Sequence, residues 1–529
     1  MTSSQNSAAS SQWGPELDEL AQRRRLAQAM GGQSNLERVH SAGKLNARER
    51  VEAFYACEKY TELGTLAGKG KYSSDGKLQQ FTPSNHVLTI GLVDKRRLVV
   101  VSDDASIRGG SSEAAVAEKW IYADRYAHEY KLPLVRLVET AGGSVKLLEQ
   151  LGHTKIPGYS LLPSAKLLGE VPVVGVALGG CAGLGAIRVG TSHFSVMVQG
   201  QSQVFAAGPP VVKRALGVDV HKEELGGYGV HKISGAVNNV AASETDAFSQ
   251  VRQFLSYLPP NVWQLPPRGD TSDDPLRHDA WLNDAIPRNR RKLFKVKEIL
   301  NRIFDTDSLF EISPGFGASL VTCFARLHGY PVGVISNNPA VMGGALTAAA
   351  ARKLERFVDL CDTFHLPIVN LMDQPGTMTG VDAERNGTIT AALHASAAIE
   401  QSSVPWIGIV IRRCFGLAGG MLTPWIGASG TALPHRFGWP SARWGSLPIE
   451  GGVTAAYKTE LANAADPAAL LNELEQKFHA IGSPCRTAEK FGVIDIIEPA
   501  QTRALLCDWV QDARALTERQ LGPKSRYMR

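Results

Sequence analysis

Two stretches of this chain carry nearly the same pattern of residues. They read VPVVGVALGGCAGLGA at Val171–Ala186 and VPWIGIVIRRCFGLAGG at Val404–Gly420. Each begins with Val-Pro, continues through apolar residues and reaches Cys-x-Gly-Leu ten residues later. The two cysteines, Cys181 and Cys414, are 233 residues apart. A pattern repeated at this distance indicates a duplicated domain, and the duplication decides the architecture.

The match extends upstream of both stretches at an almost constant spacing. VVSDDASIRGG at Val100–Gly110 corresponds to VISNNPAVMGG at Val334–Gly344, with an offset of 234 residues. Each copy alternates apolar, β-branched runs with helix-length segments and Gly-containing turns. Continuously apolar strands separated by helices are typical of parallel strands covered on both faces. We therefore predict an α/β fold in which each copy is a stack of β-β-α units.

Two local predictions accompany this pattern. Apolar residues at helical spacing predict a helix over 114–130 in the first copy and over 348–364 in the second. The last apolar run of each copy predicts a strand that ends at Gly179 in the first copy and at Arg412 in the second.

A segment rich in Pro, Asp and Arg separates the copies. It reads LPPNVWQLPPRGDTSDDPLRH at Leu258–His278. Because Pro is excluded from helix interiors and central strands, we predict a linker or a wrapped surface segment here. The predicted domains are residues 1–262 and residues 263–529.

Composition narrows the class of protein. The chain has 529 residues, of which 44% are hydrophobic, so two domains can each bury a core. A net charge of +5 spread along the chain does not indicate a nucleic-acid partner. No apolar run reaches the ~20 residues of a membrane span, and the N-terminus resembles neither a signal peptide nor a transit peptide. We predict a cytoplasmic protein without a membrane partner.

The seven cysteines are widely spaced and include no CxxC pair. This usage predicts reduced, mostly buried thiols and no metal site in the chain. Cys181 and Cys414 occupy corresponding places in the two copies. With no His nearby in sequence, they are interpreted as small core residues rather than nucleophiles.

The Gly-rich turn after each quoted strand can do chemistry with its backbone. Gly lets the chain approach a ligand, and the first N–H groups of a following helix have no internal partner. Two N–H groups aimed at one point form an oxyanion hole, in which each donor contributes ~3 kcal/mol to the transition state. The candidate donors are Gly183 and Leu184 in the first copy and Leu417 and Ala418 in the second. Two such turns predict a reaction between two carbonyl compounds.

The side chains suggest few other catalytic groups. The chain contains no GxSxG, HExxH or P-loop motif and no Ser-His-Asp order. Glu139 and Asp373 correspond in the repeat and lie where strands should end. They could act as bases, but capping of the following turn is favoured. The sequence therefore favours chemistry in which backbone dipoles stabilise charge.

Several long motifs, in order, resemble the carboxyltransferase (β) subunit of biotin-dependent acyl-CoA carboxylases of the propionyl-CoA and methylcrotonyl-CoA type. The resemblance runs from about Arg23 to the C-terminus. GKLNARER is close to the family's GKLTARER, and three longer segments follow the family's later motifs. The four segments are Gly43–Arg50, Phe205–Gly227, Arg356–Gly387 and Ala488–Pro499.

The resemblance implies two tandem crotonase-like domains of the ClpP/crotonase type, each a β-β-α superhelix. It implies transfer of a carboxyl group from carboxybiotin to the α (or vinylogous γ) carbon of a short or branched acyl-CoA, through an enolate. Gly183 and Leu184 would hold the thioester oxygen, and Leu417 and Ala418 the ureido oxygen of biotin. Further substrate-binding positions would be Gly142, Gly143, Gly179 and Gly420, and further biotin-binding positions would be Gly376 and Thr377.

The resemblance also implies partners. None of the Met residues is followed by the Lys that would carry biotin, so biotin would come from a separate biotin carboxylase/biotin carrier (α) subunit. Coenzyme A would enter as part of the substrate. The family arrangement would be a homo-hexameric β core within an α6β6 holoenzyme.

Departures from the family pattern leave alternatives open. ETAGGSV at Glu139–Val145 replaces the family's DSGGAR and lacks its Arg, and Leu184 replaces a second Gly. A Gly at Gly420 would leave room for a larger or branched acyl chain. The alternatives are a biotin-dependent decarboxylase or transcarboxylase, a crotonase-type hydratase or isomerase without biotin, and a non-catalytic scaffold β subunit.

Overall fold

The computed structural model describes residues 12–111, 116, 118–143, 149, 152–153, 164–289, 292–422 and 435–526. The strands of the first repeat are β1 (Tyr60–Leu63), β2 (Gly68–Tyr72), β3 (Leu78–Pro83), β4 (His86–Val93), β5 (Arg96–Asp103), β6 (Leu134–Thr140), β7 (Val173–Ala182), β8 (Phe194–Val198), β9 (Gln203–Phe205) and β10 (Asn239–Ala241). Those of the second repeat are β11 (Phe310–Glu311), β12 (Leu320–Leu327), β13 (Tyr330–Asn337), β14 (Ile368–Gln374), β15 (Trp406–Phe415), β16 (His435–Gly438), β17 (Arg443–Gly445) and β18 (Asp495–Ile496).

Helices connect and cover these strands. In the first repeat they are α1 (Gly14–Gln28), α2 (Gln33–Ser41), α3 (Ala47–Tyr55), α4 (Glu118–Tyr130), α5 (Ser164–Leu168), α6 (Leu184–Gly190), α7 (Pro209–Leu216), α8 (Lys222–Gly226), α9 (Tyr228–Ser234) and α10 (Glu244–Tyr257). In the second they are α11 (Val296–Ile303), α12 (Ala348–Thr363), α13 (Val381–Arg385), α14 (Thr388–Gln401), α15 (Gly416–Met421), α16 (Ile449–Ala456), α17 (Lys458–Asn463), α18 (Pro467–Ile481), α19 (Pro484–Ala488) and α20 (Thr502–Glu518). Short 3-10 turns occupy Arg108–Gly110, Ala280–Asp284, Met342–Gly344 and Pro499–Gln501.

The two repeats have the same sheet topology. The first sheet runs β1-β4-β5-β6-β7-β8-β10 and the second β11-β12-β13-β14-β15-β16-β18. The first three strands of each order pair antiparallel and the later ones pair parallel. A short extra strand pairs with the end of β7 and of β15 in the same way. The predicted stack of β-β-α units in each copy is confirmed.

Backbone angles repeat at the predicted offset. Asp94 and Lys95 have φ of 50° and 65° in the β4–β5 hairpin, and His328 and Gly329 have φ of 48° and 81° in the β12–β13 hairpin. Two successive positive φ angles suit a two-residue hairpin because their twist matches that of the strands. The duplication therefore extends to single turn residues, only one of which is Gly.

The two local predictions fare differently. The predicted helices correspond to Glu118–Tyr130 and Ala348–Thr363, while residues 114, 115 and 117 lie outside the described ranges. The predicted strand ends were wrong, because β7 and β15 continue to Ala182 and Phe415. The physical reason is a parallel pairing of these last residues with β9 and β17, which the local apolar pattern does not reveal.

The repeats pack against each other through one continuous apolar core. Phe194 of the first sheet stacks on Phe254 at a centroid distance of 4.6 Å and meets Phe310 of the second repeat at 5.5 Å. Phe254 also stacks on Phe324 at 5.8 Å. Aromatic pairs of this kind contribute beyond their buried area, so the halves form one apolar unit. Further core clusters line the outer face of each sheet.

The segment predicted as a linker lies against the second repeat. Residues 258–279 contain no helix or strand, although every one of them is described. The carbonyl of Pro266 accepts a hydrogen bond from Arg514 at 3.1 Å, and that of Pro267 accepts one from Arg326 at 3.2 Å. Because the segment lacks a ladder, side chains satisfy its backbone. The domain boundary between residues 262 and 263 stays a prediction.

Two buried histidines lie near the junction of the repeats. His193 accepts from the N–H of Val173 at 3.0 Å and contacts the carbonyl of Leu168 at 2.8 Å, with its ring edge 4.8 Å from Phe364. His365 contacts the carbonyl of Val262 at 2.6 Å. Burial lowers the pKa of both histidines from 6.5 to about 4. Both rings are therefore neutral at pH 7.

We expect acidification to destabilise this junction. A histidine whose pKa is lower in the folded state stabilises the fold fully above about pH 6.5 and loses that contribution as the pH falls towards 4. The difference corresponds to roughly 3 kcal/mol at most for each histidine. The melting temperature should therefore drop across this window, and less so in a His193→Gln variant. Equal drops in both proteins would contradict the assignment to His193.

No helix in the described ranges combines the length and the apolar character needed to cross a membrane.

Candidate active site

Each repeat places a Gly-centred turn between its long central strand and a short helix. Gly183 has φ 55° and ψ −112° between β7 and α6, and Gly416 has φ 63° at the start of α15. A Cβ added to either residue would lie 3.7 Å from a backbone carbonyl, that of Ala206 or of Ser446. Positive φ disfavours any side chain here, so both turns depend on Gly for the same reason.

Hydrogen bonding distinguishes the two predicted donors of the first turn. The N–H of Gly183 already donates to the carbonyl of Phe205 at 3.1 Å. The first bond within α6 runs from the N–H of Ile187 to the carbonyl of Gly183 at 3.1 Å. The N–H of Leu184 therefore begins the helix without an internal acceptor. Leu184 adopts helical rather than positive φ, as expected for Leu, and donation from Gly183 to a ligand stays a prediction.

The register of the repeat aligns the two donor sets. Leu184 corresponds to Leu417, and Gly185 corresponds to Ala418, at the offset of 233. In the described part of the chain, none of these four N–H groups has a backbone acceptor. Sequence reasoning thus missed Gly185, which the repeat places opposite Ala418. The signal was available in the constant offset.

Glu139 and Asp373 lie in ion pairs at the strand ends. The carboxylate of Glu139 contacts Lys44 at 2.7 Å and Arg50 at 2.8 Å. Asp373 is fully buried and contacts Arg412 and Arg413, each at 2.6 Å. These contacts leave the Asp373 carboxylate no room to meet a substrate as a base.

The favoured capping role of these two carboxylates was wrong. The N–H of Gly142 is capped by the hydroxyl of Thr140 at 3.1 Å, and the N–H of Gly376 by the side chain of Gln374 at 2.9 Å. A β-bulge in both strands shifts the register at this point. The bulge turns the next residue, one position later, toward the turn.

The glycines predicted to bind substrate keep the first site open. A Cβ on Gly142, which has φ 83°, would lie 3.1 Å from the carbonyl of Ala182. A Cβ on Gly179 would lie 2.2 Å from a carboxylate oxygen of Glu139, so Gly179 makes room for that side chain. Gly143 has open space around it. The structure brings Gly142 and Gly179 together with the end of β7.

The second site contains a cavity. It has a volume of about 420 Å³ and is lined by residues that include Gly416, Leu417, Gly420 and Trp444. A Cβ on Gly420 would meet no atom within 4 Å. Apolar walls with a few directed polar groups are typical of small-molecule sites. The cavity could therefore hold an apolar ring whose polar oxygen faces the donors of the turn.

Gly376 and Thr377 lie on the turn that follows β14. Gly376 has φ 131°, and its carbonyl accepts from the N–H of Leu346 at 3.0 Å. Thr377 forms an isolated parallel bridge with Leu346. A Cβ on Gly376 would lie 4.0 Å from the carbonyl of Phe415, next to the Gly416 turn.

The cysteines of the repeated motif do not provide a nucleophile. Cys181 is fully buried, and burial raises the pKa of its thiol. Burial raises the pKa of Cys414 to about 11. Thiolates are the reactive form, so both thiols are inert at neutral pH. Cys57 and Cys485 are exposed, and within the described ranges no three His, Cys, Asp or Glu side chains group as metal ligands.

Sequence reasoning also missed a buried ion pair behind the first turn. Arg188 on α6 contacts Asp103 at the end of β5 at 2.8 Å. Its signal was a break in the repeat, since the corresponding residues are Met421 and Asn337.

Comparisons with known proteins agree with this geometry. A family model described as the carboxyl transferase domain matches residues 38–526. The chain is 31% identical to a propionyl-CoA carboxylase carboxyltransferase subunit of Haloferax mediterranei, over 97% of this chain and 98% of that protein. It is 30% identical to the methylmalonyl-CoA decarboxylase subunit alpha of Veillonella parvula, over 92% of this chain and 94% of that protein.

A solved structure of the transcarboxylase 12S hexamer, with methylmalonyl-coenzyme A bound, is also similar. Its TM-score is 0.85 at 27% identity, covering 96% of each chain. The predicted fold of two tandem crotonase-like domains is confirmed by this likeness and by the two matching sheets. Because the family model spans nearly the whole chain, this protein belongs to the carboxyl transferase family and is a carboxyltransferase of the kind found in biotin-dependent acyl-CoA carboxylases.

Proposed function

We propose that this chain is the carboxyltransferase subunit of a biotin-dependent acyl-CoA carboxylase. The single observation that carries the proposal is the Gly-centred turn built twice, each time followed by N–H groups without acceptors. Carboxyl transfer from carboxybiotin to an acyl-CoA develops negative charge on two oxygens, one on the thioester and one on the ureido group. Two preorganised donor sites meet that requirement, because fixed dipoles stabilise charge without reorganising.

The first repeat takes the acyl-CoA in this proposal. The N–H of Leu184 stabilises the thioester oxygen as the α carbon loses its proton and the enolate forms. Gly142, Gly143 and Gly179 leave the approach free of side chains, as their added Cβ positions show. The Glu139 ion pairs hold the floor of this site by tying β6 to Lys44 and Arg50.

The second repeat takes the biotin ring. Biotin, when bound, supplies the carboxyl group and accepts the proton that the acyl-CoA loses. The cavity of about 420 Å³ fits this role in size and in its apolar lining, and it includes Leu417. The N–H groups of Leu417 and Ala418 stabilise the ureido oxygen. Gly376 and Thr377 shape the neighbouring turn, and Gly420 leaves space for a larger or branched acyl chain.

The proposed assembly is a homo-hexamer, like that of the similar transcarboxylase 12S core. Large apolar side chains are exposed around both turns, where Ile187, Met342 and Leu417 are each more than 60% exposed. Exposed apolar groups of this density mark surfaces that a partner covers. Biotin would arrive on a separate biotin carboxylase/biotin carrier (α) subunit, in an α6β6 holoenzyme. The cytoplasmic location stays a prediction.

A second candidate function is biotin-dependent decarboxylation or transcarboxylation. It is favoured by similarity to the methylmalonyl-CoA decarboxylase subunit and to the 12S transcarboxylase. Both use the same two sites with the carboxyl group moving from the thioester to biotin. The partner chains that accompany the protein would separate these possibilities.

The test is to run the reaction in reverse with free biotin. The purified chain is mixed with malonyl-CoA, methylmalonyl-CoA or a branched carboxylated acyl-CoA, and the decarboxylated thioester is followed by mass spectrometry. Loss of the carboxyl group only when biotin is present supports the proposal, and the substrate that reacts identifies the acyl group. Turnover without biotin would favour crotonase-type chemistry, and no turnover with any thioester would favour the scaffold. A forward run with carboxybiotin and an acyl-CoA panel completes the test.

A further inference from the structure

A buried charged cluster lies directly behind the turn of the first repeat. Asp103 accepts two hydrogen bonds from one Arg188 nitrogen, at 2.8 and 2.9 Å. The Nδ1 of His86 lies 3.0 Å from the same carboxylate. All three side chains are at most 4% exposed. Burial alone would raise the pKa of Asp103, but Arg188 and His86 together lower it below its ordinary value.

The cluster joins the short helix α6 to three strands. His86 begins β4 and faces Asp103, the last residue of β5. Asp103 also accepts from the backbone N–H of Glu139 in β6 at 3.2 Å. Arg188 lies four residues after Leu184, one helical turn along α6. The ion pair therefore fixes the distance between the strand ends and the helix that begins with the Leu184 N–H.

The second repeat solves the same packing problem without charge. The corresponding residues are Leu320, Asn337 and Met421, and Leu320 faces Asn337 in the β12–β13 pairing. Asn337 accepts from the N–H of Asp373 at 3.1 Å and donates to the carbonyl of Gly344 at 3.1 Å. It thus holds the strand ends in the way that Asp103 does. Only the first repeat adds a tie to the helix.

The fold itself does not require this ion pair. Burying a charge pair is rarely more favourable than burying matched neutral side chains, and the chain contains the neutral version in its other half. The far end of α6 is held separately, because Arg136 donates to the carbonyls of Arg188 and Thr191 at 3.3 and 2.8 Å. The ion pair therefore controls the placement of the helix start rather than the existence of the helix.

We propose that His86, Asp103 and Arg188 are positioning residues for the acyl-CoA site, which hold α6 so that the Leu184 N–H meets the thioester oxygen. The inference rests on the proposed function. A donor displaced by a fraction of an ångström loses much of its stabilisation of developing charge. A rigid tie is needed most where Leu stands at the turn, because its side chain adds packing forces on the same short helix.

The test transplants the neutral arrangement of the second repeat into the first. The triple variant His86→Leu, Asp103→Asn, Arg188→Met leaves no buried charge without a partner, unlike the single variant Arg188→Met. We expect kcat/KM for the carboxylated acyl-CoA to fall about tenfold or more in the triple variant, with the KM for free biotin unchanged. The conservative Arg188→Lys variant should recover part of kcat.

Hydrogen exchange provides a readout that needs no substrate. Amides of 184–190 should exchange about tenfold faster in the triple variant, whereas amides of 416–421 should keep their rates. If wild-type protein transfers no carboxyl group at all, the proposed function fails, and unchanged exchange at 184–190 is then what overturns helix positioning. If the wild type is active, a triple variant with wild-type kcat/KM overturns the inference.

Discussion

A proline at position 184 is expected to lower kcat for biotin-dependent carboxyl transfer about 100-fold or more, because it removes one oxyanion donor. Leu184 is the first residue of α6, and proline is well tolerated at the first helical position, where the N–H has no internal partner. Gly183 before it has no Cβ to clash with the proline ring. The Leu184→Pro variant should therefore fold and bind CoA while losing turnover.

The matched control is Leu184→Ala. Leu184 is partly buried against the first-repeat core, so both variants lose the same packing, but alanine keeps the backbone N–H. Thermal melting should give similar melting temperatures for the two variants. Their rates, measured by the appearance of the decarboxylated thioester, should differ by the factor that the donor contributes. Equal rates would show that the Leu184 N–H is not a donor.

The second repeat offers a parallel exchange at Leu417. Leu417→Pro removes the corresponding N–H beside the cavity, and Leu417→Ala keeps it. Comparison of this pair should show loss of the biotin-dependent rate at an unchanged affinity for the acyl-CoA. The two pairs of variants together assign one half of the reaction to each repeat.

The Asp373→Ala exchange is expected to cause the largest loss of stability, about 3–5 kcal/mol. Asp373 is fully buried and neutralises Arg412, whose side chain is 6% exposed, and Arg413. Removing the carboxylate leaves the Arg412 guanidinium buried without its counter-charge. Both arginines also line a cavity of about 850 Å³ beside the second turn, so the local structure should loosen there first.

The measurement is the shift in melting temperature, with two comparisons. Asp373→Asn keeps a hydrogen-bond acceptor and should lose less than Asp373→Ala. Lys213→Ala breaks an ion pair with Asp219 in which both side chains are more than 60% exposed, and should change almost nothing. An Asp373→Ala protein as stable as the wild type would contradict the ion-pair account of β14 and β15.

The fold was largely predictable because its signals are local and repeated. The offset of 234 paired the strand at Val100 with that at Val334, and the apolar runs identified the central strands. The turns at Gly183 and Gly416 were predicted because Gly directly after a buried strand is typical of a tight turn into a helix. These features depend on residues close together in the chain, so periodicity reveals them.

The details of the site were less predictable. Thr140 and Gln374, rather than Glu139 and Asp373, cap the turns, because a bulge shifts each strand by one residue. The strand β7 runs three residues further than its apolar pattern indicates because β9 pairs with it. Each error comes from a pairing register, which no short window of sequence contains.

By itself, the sequence determined the duplication, the order of strands and helices, the positions of the two Gly turns and the resemblance to a carboxyltransferase. Only the tertiary structure decided which donors are occupied and which helix is tied down. The Gly183 N–H is taken by Phe205, 22 residues away, and Arg188 meets Asp103 across 85 residues. Such contacts depend on how strands align and helices pack, and this alignment is set by the whole core rather than by neighbours in the chain.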